Sequence, residues 1–395
     1  MVRAFCIPTL LYALVGTAIA GDNIARGRYL AVLGDCAGCH ESPTHIPFAG
    51  GQGFTAAFGT VHSSNISPDP VDGIGKWSSD DFYRAMTHGV RADGAHLYPA
   101  FPYAYFTKMR RADNDALFAY LRTVKPEHMP SPRNELVFPF NIRMLMMVWN
   151  ALFLQDDKWQ RDPAQSAAWN RGSFIVNGPG HCGACHTPKN VLFGDSGAPF
   201  SGGVQQGWFA ANLTGTKSDG LGDWSADAIA QYLKTGVTAH ATAVGPMQEV
   251  VAQSTSRMTD ADRAAIAIYL KSLPPQHTQT FTPPPKDTMD AGRAVFVTHC
   301  VICHRSDKRE ENGGYPPLPH NTIVQGRDPS TVIQVILNGS QSIALADKQT
   351  SSYSMPSFAT LSDAEVASVA TYIRNSWGNR GSAVSTKTVR DLRPR

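Results

Sequence analysis

Apolar residues recur at helical spacing in three separate stretches of the chain. Val366, Val369, Ile373 and Trp377 follow Ser362-Asp-Ala-Glu365. In that box the Ser and Glu side chains satisfy otherwise free backbone N–H groups, so a helix starts there. Ile266, Tyr269, Leu270 and Leu273 follow Thr259-Asp-Ala-Asp262 and stop at Pro274-Pro275. Leu117, Tyr120, Leu121 and Val124 run into Lys125-Pro126. Upstream of each late helix stands a glycine followed by an aromatic: Gly27-Arg28-Tyr29, Gly172-Ser173-Phe174 and Gly292-Arg-Ala-Val-Phe296. The pattern predicts an early helix crossing the late one, with glycine permitting close approach.

Further elements repeat in the first two stretches. Gly73-Ile-Gly-Lys-Trp77-Ser-Ser-Asp80 matches Gly220-Leu-Gly-Asp-Trp224-Ser-Ala-Asp227, and Ser64-Asn65-Ile66-Ser67 matches Ala211-Asn212-Leu213-Thr214. The third stretch lacks the Trp element. Pro clusters at 126–134 and 274–285 read as linkers, the latter extended and semi-rigid. The chain after Gly378 is polar and reads as an unstructured tail.

Two apolar segments stand outside the repeats. Met1–Ala20 has Arg3, an apolar run from Leu10 to Val15 and the small-x-small signal Ala18-Ile19-Ala20, the pattern of a cleavable secretory leader. Cleavage would deliver the mature protein to a bacterial periplasm. Phe138–Leu154 is dense in Met, Leu, Trp and Phe but holds Asn141, Arg143 and Asn150. It is shorter and more polar than a spanning helix requires. A buried helix and a membrane-surface or partner-binding helix explain it equally well. The net charge of +3 lacks the basic excess of a nucleic-acid binder.

Seven cysteines look awkward for a disulfide framework, but removal of the leader takes Cys6. The other six form Cys36-Ala-Gly-Cys39-His40, Cys182-Gly-Ala-Cys185-His186 and Cys300-Val-Ile-Cys303-His304, one in each repeat. Cys-x-x-Cys-His is the attachment run of c-type haem: two thiols bond the haem vinyl groups and the adjacent His becomes the proximal iron ligand. A structural zinc site would need a second ligand pair further on, and none follows. A thioredoxin-like dithiol would need a strand–helix–strand setting that the flanks do not offer.

For the sixth iron ligand, Met355-Pro-Ser-Phe358 lies just ahead of the third capping box. Met247, in Gly245-Pro246-Met247, is favoured over Met258, which stands where the third repeat has Leu361. In the first repeat Phe101 occupies the expected place. Met109 is taken as the ligand, against a haem with no Met or with His88 or His96. His181, His299, Trp77, Trp224, Met86, Met144, Met146 and Met147 read as packing, surface or haem-wall residues. No dinucleotide or flavin fingerprint is present.

The three haem runs, Asn65-Ile-Ser-Pro-Asp69 with Gly73-Ile-Gly-Lys-Trp77, Leu97-Tyr-Pro-Ala-Phe-Pro-Tyr103 and Phe138-Pro-Phe-Asn-Ile-Arg143 together resemble the triheme cytochrome c subunits of bacterial membrane-associated alcohol, gluconate, sorbitol and fructose dehydrogenases. The resemblance implies an all-α chain of three tandem class I cytochrome c-like domains, each wrapped around a covalently bound haem c. The boundaries are a leader at 1–20, domains at 21–128, 163–275 and 286–380, an apolar insert at 129–162, a linker at 276–285 and a tail at 381–395. It implies an electron-transfer subunit that performs no substrate chemistry. Its partners would be a large flavin- or PQQ-dependent dehydrogenase subunit, in some complexes with a small third subunit, and ubiquinone. It would attach to the periplasmic face of the cytoplasmic membrane. Two other readings stand beside it: a multihaem peroxidase-like enzyme with an open first haem, and a free periplasmic electron carrier.

Overall fold

The computed structural model describes residues 9–276, 281–304, 318–343, 345 and 354–393, with side chains from residue 21 onward. Cys6 and residues 277–280 of the linker lie outside the described residues. The expected cleavage point after Ala20 falls within the helix Thr9–Leu33. No helix among the described residues is long and apolar enough to cross a membrane. The chain forms two compact units, residues 1–159 and 160–395.

The same helix crossing occurs three times. Thr9–Leu33 packs on Arg111–Leu121, Ala167–Asn177 on Asp260–Lys271, and Lys286–His299 on Asp363–Arg374. At each crossing a glycine lies against the late helix. A Cβ added at Gly27, Gly172 or Gly292 would fall 1.9, 2.0 or 2.1 Å from the carbonyl oxygen of Ala116, Ala265 or Ser368. It would also meet the Cβ of Tyr120, Tyr269 or Tyr372 at 2.8, 2.9 or 2.7 Å. No side chain fits there, so glycine is a condition of the crossing rather than a local preference. The late helices start as expected: Thr259 and Ser362 accept from the backbone N–H groups of Asp262 and Glu365, and Glu365 completes its box.

Short strands qualify the all-helical expectation. Gly53–Ala56 and Gly59–His62 pair antiparallel, and Glu135–Leu136 adds to the second of these. Gly203–Gln205 and Trp208–Ala210 form a second hairpin. Its turn residues Gln206 and Gly207 have φ of 50° and 76°, the left-handed pair that matches strand twist in a two-residue hairpin. Ser340–Gln341 pairs with Ser354–Met355. The chain remains mostly helical.

The tail is a second correction. Thr386–Leu392 is a helix capped by Ser385. Val384 and fully buried Val389 enter the core formed by Ile333, Leu337, Val366 and Val369. Arg374, itself fully buried, holds the approach: its Nε donates to Ser382 O, Nη2 to Ser382 Oγ and Nη1 to Val324 O. Two hydrophobic anchors and a buried guanidinium outweigh the polar composition from which disorder was expected.

The 138–154 segment divides its faces. Leu145–Phe153 is a helix that buries Met146 and Trp149 against Tyr103, beside Leu97, Tyr98 and Phe101. Met144, Met147, Val148 and Leu152 point to solvent. The segment thus buries one side, as a buried helix would, and leaves an apolar face exposed on the other.

Candidate functional site

Each Cys-x-x-Cys-His run makes one helical turn. The backbone N–H of His40, His186 and His304 donates to the carbonyl of Cys36, Cys182 and Cys300 at 2.9, 3.0 and 2.9 Å. The turn brings the two thiols of each run and the following imidazole onto one short segment. In the first two runs the chain enters through a residue in the left-handed region, Asp35 or His181.

The imidazoles of His40 and His186 are positioned by main-chain atoms. His40 Nδ1 lies 2.6 Å from Ser64 O, and His186 Nδ1 lies 2.6 Å from Ala211 O. A ring that donates Nδ1–H to a carbonyl is fixed in tautomer and orientation, leaving Nε2 as the lone-pair donor to a metal. Burial lowers the basicity of all three histidines, which favours the neutral, ligating form. Burial likewise pushes the thiols of Cys36 and Cys182 up to about 12 and that of Cys300 up to about 11. Among the described residues the one cluster of three or more convergent metal-capable groups is Asp69, Asp72 and His128, far in sequence from the Cys pairs.

The carbonyl acceptors were not singled out from the sequence as part of the site. Ser64 and Ala211 precede Asn65 and Asn212, whose side chains accept from the N–H of Ser67 and Thr214 at 2.9 Å each and fix the turn. Asn321 does the same in the third repeat, accepting from Ile323 N at 2.9 Å. The readable signal was an Asn followed at the first or second position by Ile or Leu, present in all three repeats: Asn65-Ile66, Asn212-Leu213 and Asn321-Thr-Ile323.

The third repeat opens a cavity of about 190 Å³, several times the ~30 Å³ share of a water molecule. Cys300, Cys303, His304 and Met355 line it together, with Val332, Ile336 and Val369 forming apolar walls. This brings one predicted pair of iron ligands to a single site. Met247 is the second residue of the helix Pro246–Gln253 and packs beside Ala243, Val251 and Ile343. Met109 is almost fully buried and directly precedes Arg110, the cap of Arg111–Leu121. Met258 and Leu361 precede the caps Thr259 and Ser362 in the same way. Phe101 sets its ring edge-on to that of His40, centroids 6.4 Å apart.

In the unit 160–395 the second and third repeats are joined by side chains. Thr331 Oγ1 accepts from Phe209 N at 2.8 Å and donates to Phe209 O at 3.0 Å. Trp224 Nε1 donates to Thr322 Oγ1 at 2.9 Å, and Arg327 Nη2 to Gly202 O at 2.6 Å. Trp224 is thus a buried connector and Trp77, its counterpart, is half-buried.

A Cys-x-x-Cys-His turn with a carbonyl-backed imidazole, set beside crossed helices, defines a c-type cytochrome, whose haem is held covalently. The cytochrome c family model matches residues 171–274 and 289–377. The fructose dehydrogenase cytochrome subunit of Gluconobacter japonicus is 36% identical, covering 94% of this chain and 82% of that one. The cytochrome c subunit of the quinone alcohol dehydrogenase of Gluconacetobacter polyoxogenes is 37% identical, over 96% and 86%. A nicotinate dehydrogenase subunit of Pseudomonas putida is 41% identical over 89% of this chain but 30% of its own length. The chain belongs to the family of cytochrome c subunits of dehydrogenases. It is an electron-transfer subunit rather than a catalytic one.

Proposed function

We propose that the chain carries three haem c groups in three tandem cytochrome c domains, at 21–128, 163–275 and from 286 to the end of the tail helix. Cys36 and Cys39, Cys182 and Cys185, and Cys300 and Cys303 attach them. His40, His186 and His304 are the proximal ligands, and Met247 and Met355 are the distal ligands of the second and third. When bound, haem c supplies one-electron transfer between ferrous and ferric iron. The family match covers the second and third repeats; the first is supported by the same glycine crossing and the same 2.6 Å His–carbonyl contact. That contact, made alike by His40 and His186, is the observation that carries the reading.

The protein's own contribution is to hold the groups apart from water and set their potentials. Buried apolar side chains lower the local dielectric, and distal methionine raises the potential. Electrons enter from a partner dehydrogenase, of flavin or PQQ type, that oxidises an alcohol, sugar or sugar acid, and leave to ubiquinone. The relative named for nicotinate dehydrogenase favours a second partner class, one that acts on a heteroaromatic acid. The leader directs the chain to the periplasm. The outward face of Leu145–Phe153, where Met144 and Leu152 are 74% and 62% exposed, rests on the cytoplasmic membrane surface.

Purification of the tagged chain from its native membranes tests this. The expected result is a co-purifying dehydrogenase whose substrate reduces the haems, with ubiquinone reoxidising them. A lone soluble carrier would overturn it. Met144→Glu with Leu152→Glu is expected to reduce flotation with vesicles severalfold while leaving haem content unchanged.

A further inference from the structure

We propose that the third haem is held by two repeats rather than one: Thr242 and Val244 of the second repeat form a wall of its pocket and help set its potential. This rests on the three-haem reading above, and it assigns two residues to a haem other than that of their own repeat.

The cavity carries the assignment. The space onto which Cys300, Cys303, His304 and Met355 open is also lined by Thr242 and Val244. Every other lining residue lies between His299 and Ile373, within the third repeat. Thr242 is 4% exposed, so its burial comes from this neighbour as well as from its own repeat.

The chain fixes the wall at both ends. The helix Ala226–Thr235 stops at Gly236, whose φ of 73° turns the chain back. Val237 then bridges Thr242, and Ala243 N donates to Gly236 O at 2.7 Å. Residues two apart in an extended stretch share a face, so Thr242 and Val244 look the same way. Ala243, between them, packs with Val251 and with Ile343 of the third repeat. The seam is tight: a Cβ added at Gly236 would fall 2.2 Å from Ile343 Cδ1. Gln248 Nε2 donates across it to Gln341 O.

The chemistry of the wall fits a haem, which presents an apolar macrocycle and two carboxylates. Val244 extends the apolar lining of Val332, Ile336 and Val369. Thr242 and Ser340 add hydroxyl groups from the two sides of the seam. Ser340 pairs directly with Met355 across the short ladder, and its Oγ is buried with no partner among the described residues. A buried hydroxyl left unpaired costs free energy, so this edge of the cavity suits a polar edge of the occupant. Polar groups beside a haem favour the charged ferric state and apolar ones the ferrous state. Thr242 and Val244 therefore act on the potential in opposite directions.

The test is a spectroelectrochemical titration of the full-length haem-loaded protein, after a haem count. A count other than three sinks the reading above and this proposal with it. Met355→Leu marks the third haem as the component whose potential falls; if no component falls, both fail together. Thr242→Val and Val244→Thr are nearly isosteric, so neither opens a void. Thr242→Val should raise the potential of the marked component and Val244→Thr should lower it, each by about two- to tenfold in the reduction equilibrium constant. Damage to the packing alone would admit water and lower the potential in both. Gln248→Ala removes a bond between the repeats without altering the lining, and should leave the marked component in place. With three haems counted and the third marked, the proposal alone is overturned if that component stays put in both wall variants, or falls in both. An equal shift in Gln248→Ala, or a shift confined to the second haem, would also overturn it.

Discussion

The first and second repeats share a backbone frame and differ in what closes the site. Gly27 and Gly172 admit the same helix crossing, and His40 and His186 lean on carbonyls at the same 2.6 Å. Asn65 and Asn212 fix the same turn. Above that frame the two differ: the first sets Phe101 edge-on to His40, and the second packs Met247 beside Ala243 and Val251. The backing differs too: the insert helix braces the first loop, while Ile343 of the third repeat packs beside the second. Attachment and proximal geometry are therefore properties of the frame. Distal chemistry is a local choice, made where each repeat meets whatever covers it.

Breaking the frame should have the largest effect. Cys36→Ser and Cys182→Ser are each expected to leave one haem unattached, read by mass spectrometry and haem staining. The second change should also lower the thermal stability of the third repeat, because Trp224, Phe209 and Gly202 bond directly to it. Cys36→Ser should leave that transition in place.

Next come the crossings. Gly27→Ala and Gly172→Ala must push the late helix away from a carbonyl about 2 Å from the new Cβ. Each should cost about 1–3 kcal/mol or more in denaturant unfolding of its own unit, and by similar amounts. A large inequality would break the equivalence of the two frames.

Met247→Phe removes the distal ligand proposed for the second site. Methionine–iron charge-transfer absorbance should fall by about half, and one haem potential should drop. A smaller effect is expected from Trp224→Phe, which removes the hydrogen bond to Thr322 at a cost of about 1 kcal/mol.

The smallest contrast lies in the helices after the Trp elements. Ser78 and Asp81 form a complete capping box, and the Ser78 hydroxyl and backbone N–H with Arg84 hold the Asp81 carboxyl down at about 2. Ser225 caps the second helix without an acidic partner at that position. A carboxyl depressed in the folded state stabilises above its unfolded value near 3.8 and loses that contribution as pH falls through about 2. Acid unfolding between those values should be shifted by Asp81→Ala and not by Ala228→Gly beyond its helix-propensity cost.

Much of the fold was legible in the chain, for physical reasons. Local signals, such as the haem runs, Ser362 with Glu365 and the glycine–aromatic pairs, act through neighbouring residues and survive as pattern. The carbonyl acceptors of Ser64 and Ala211 did not, because a backbone atom carries no residue identity. The tail helix escaped for a similar reason: Val384 and Val389 are too few to register as a pattern, yet each enters a core built elsewhere. Met109 attracted the ligand role as the one methionine between Phe101 and the closing helix. Only the cap positions align it with Met258 and Leu361.

That the histidine's partner is a peptide oxygen has a consequence for how such a protein can vary. Ser64 and Ala211 differ in side chain yet deliver the same contact. No single substitution deletes the acceptor itself, so on this side mutation reaches the contact only through the Asn65 and Asn212 side chains that hold the turn in place.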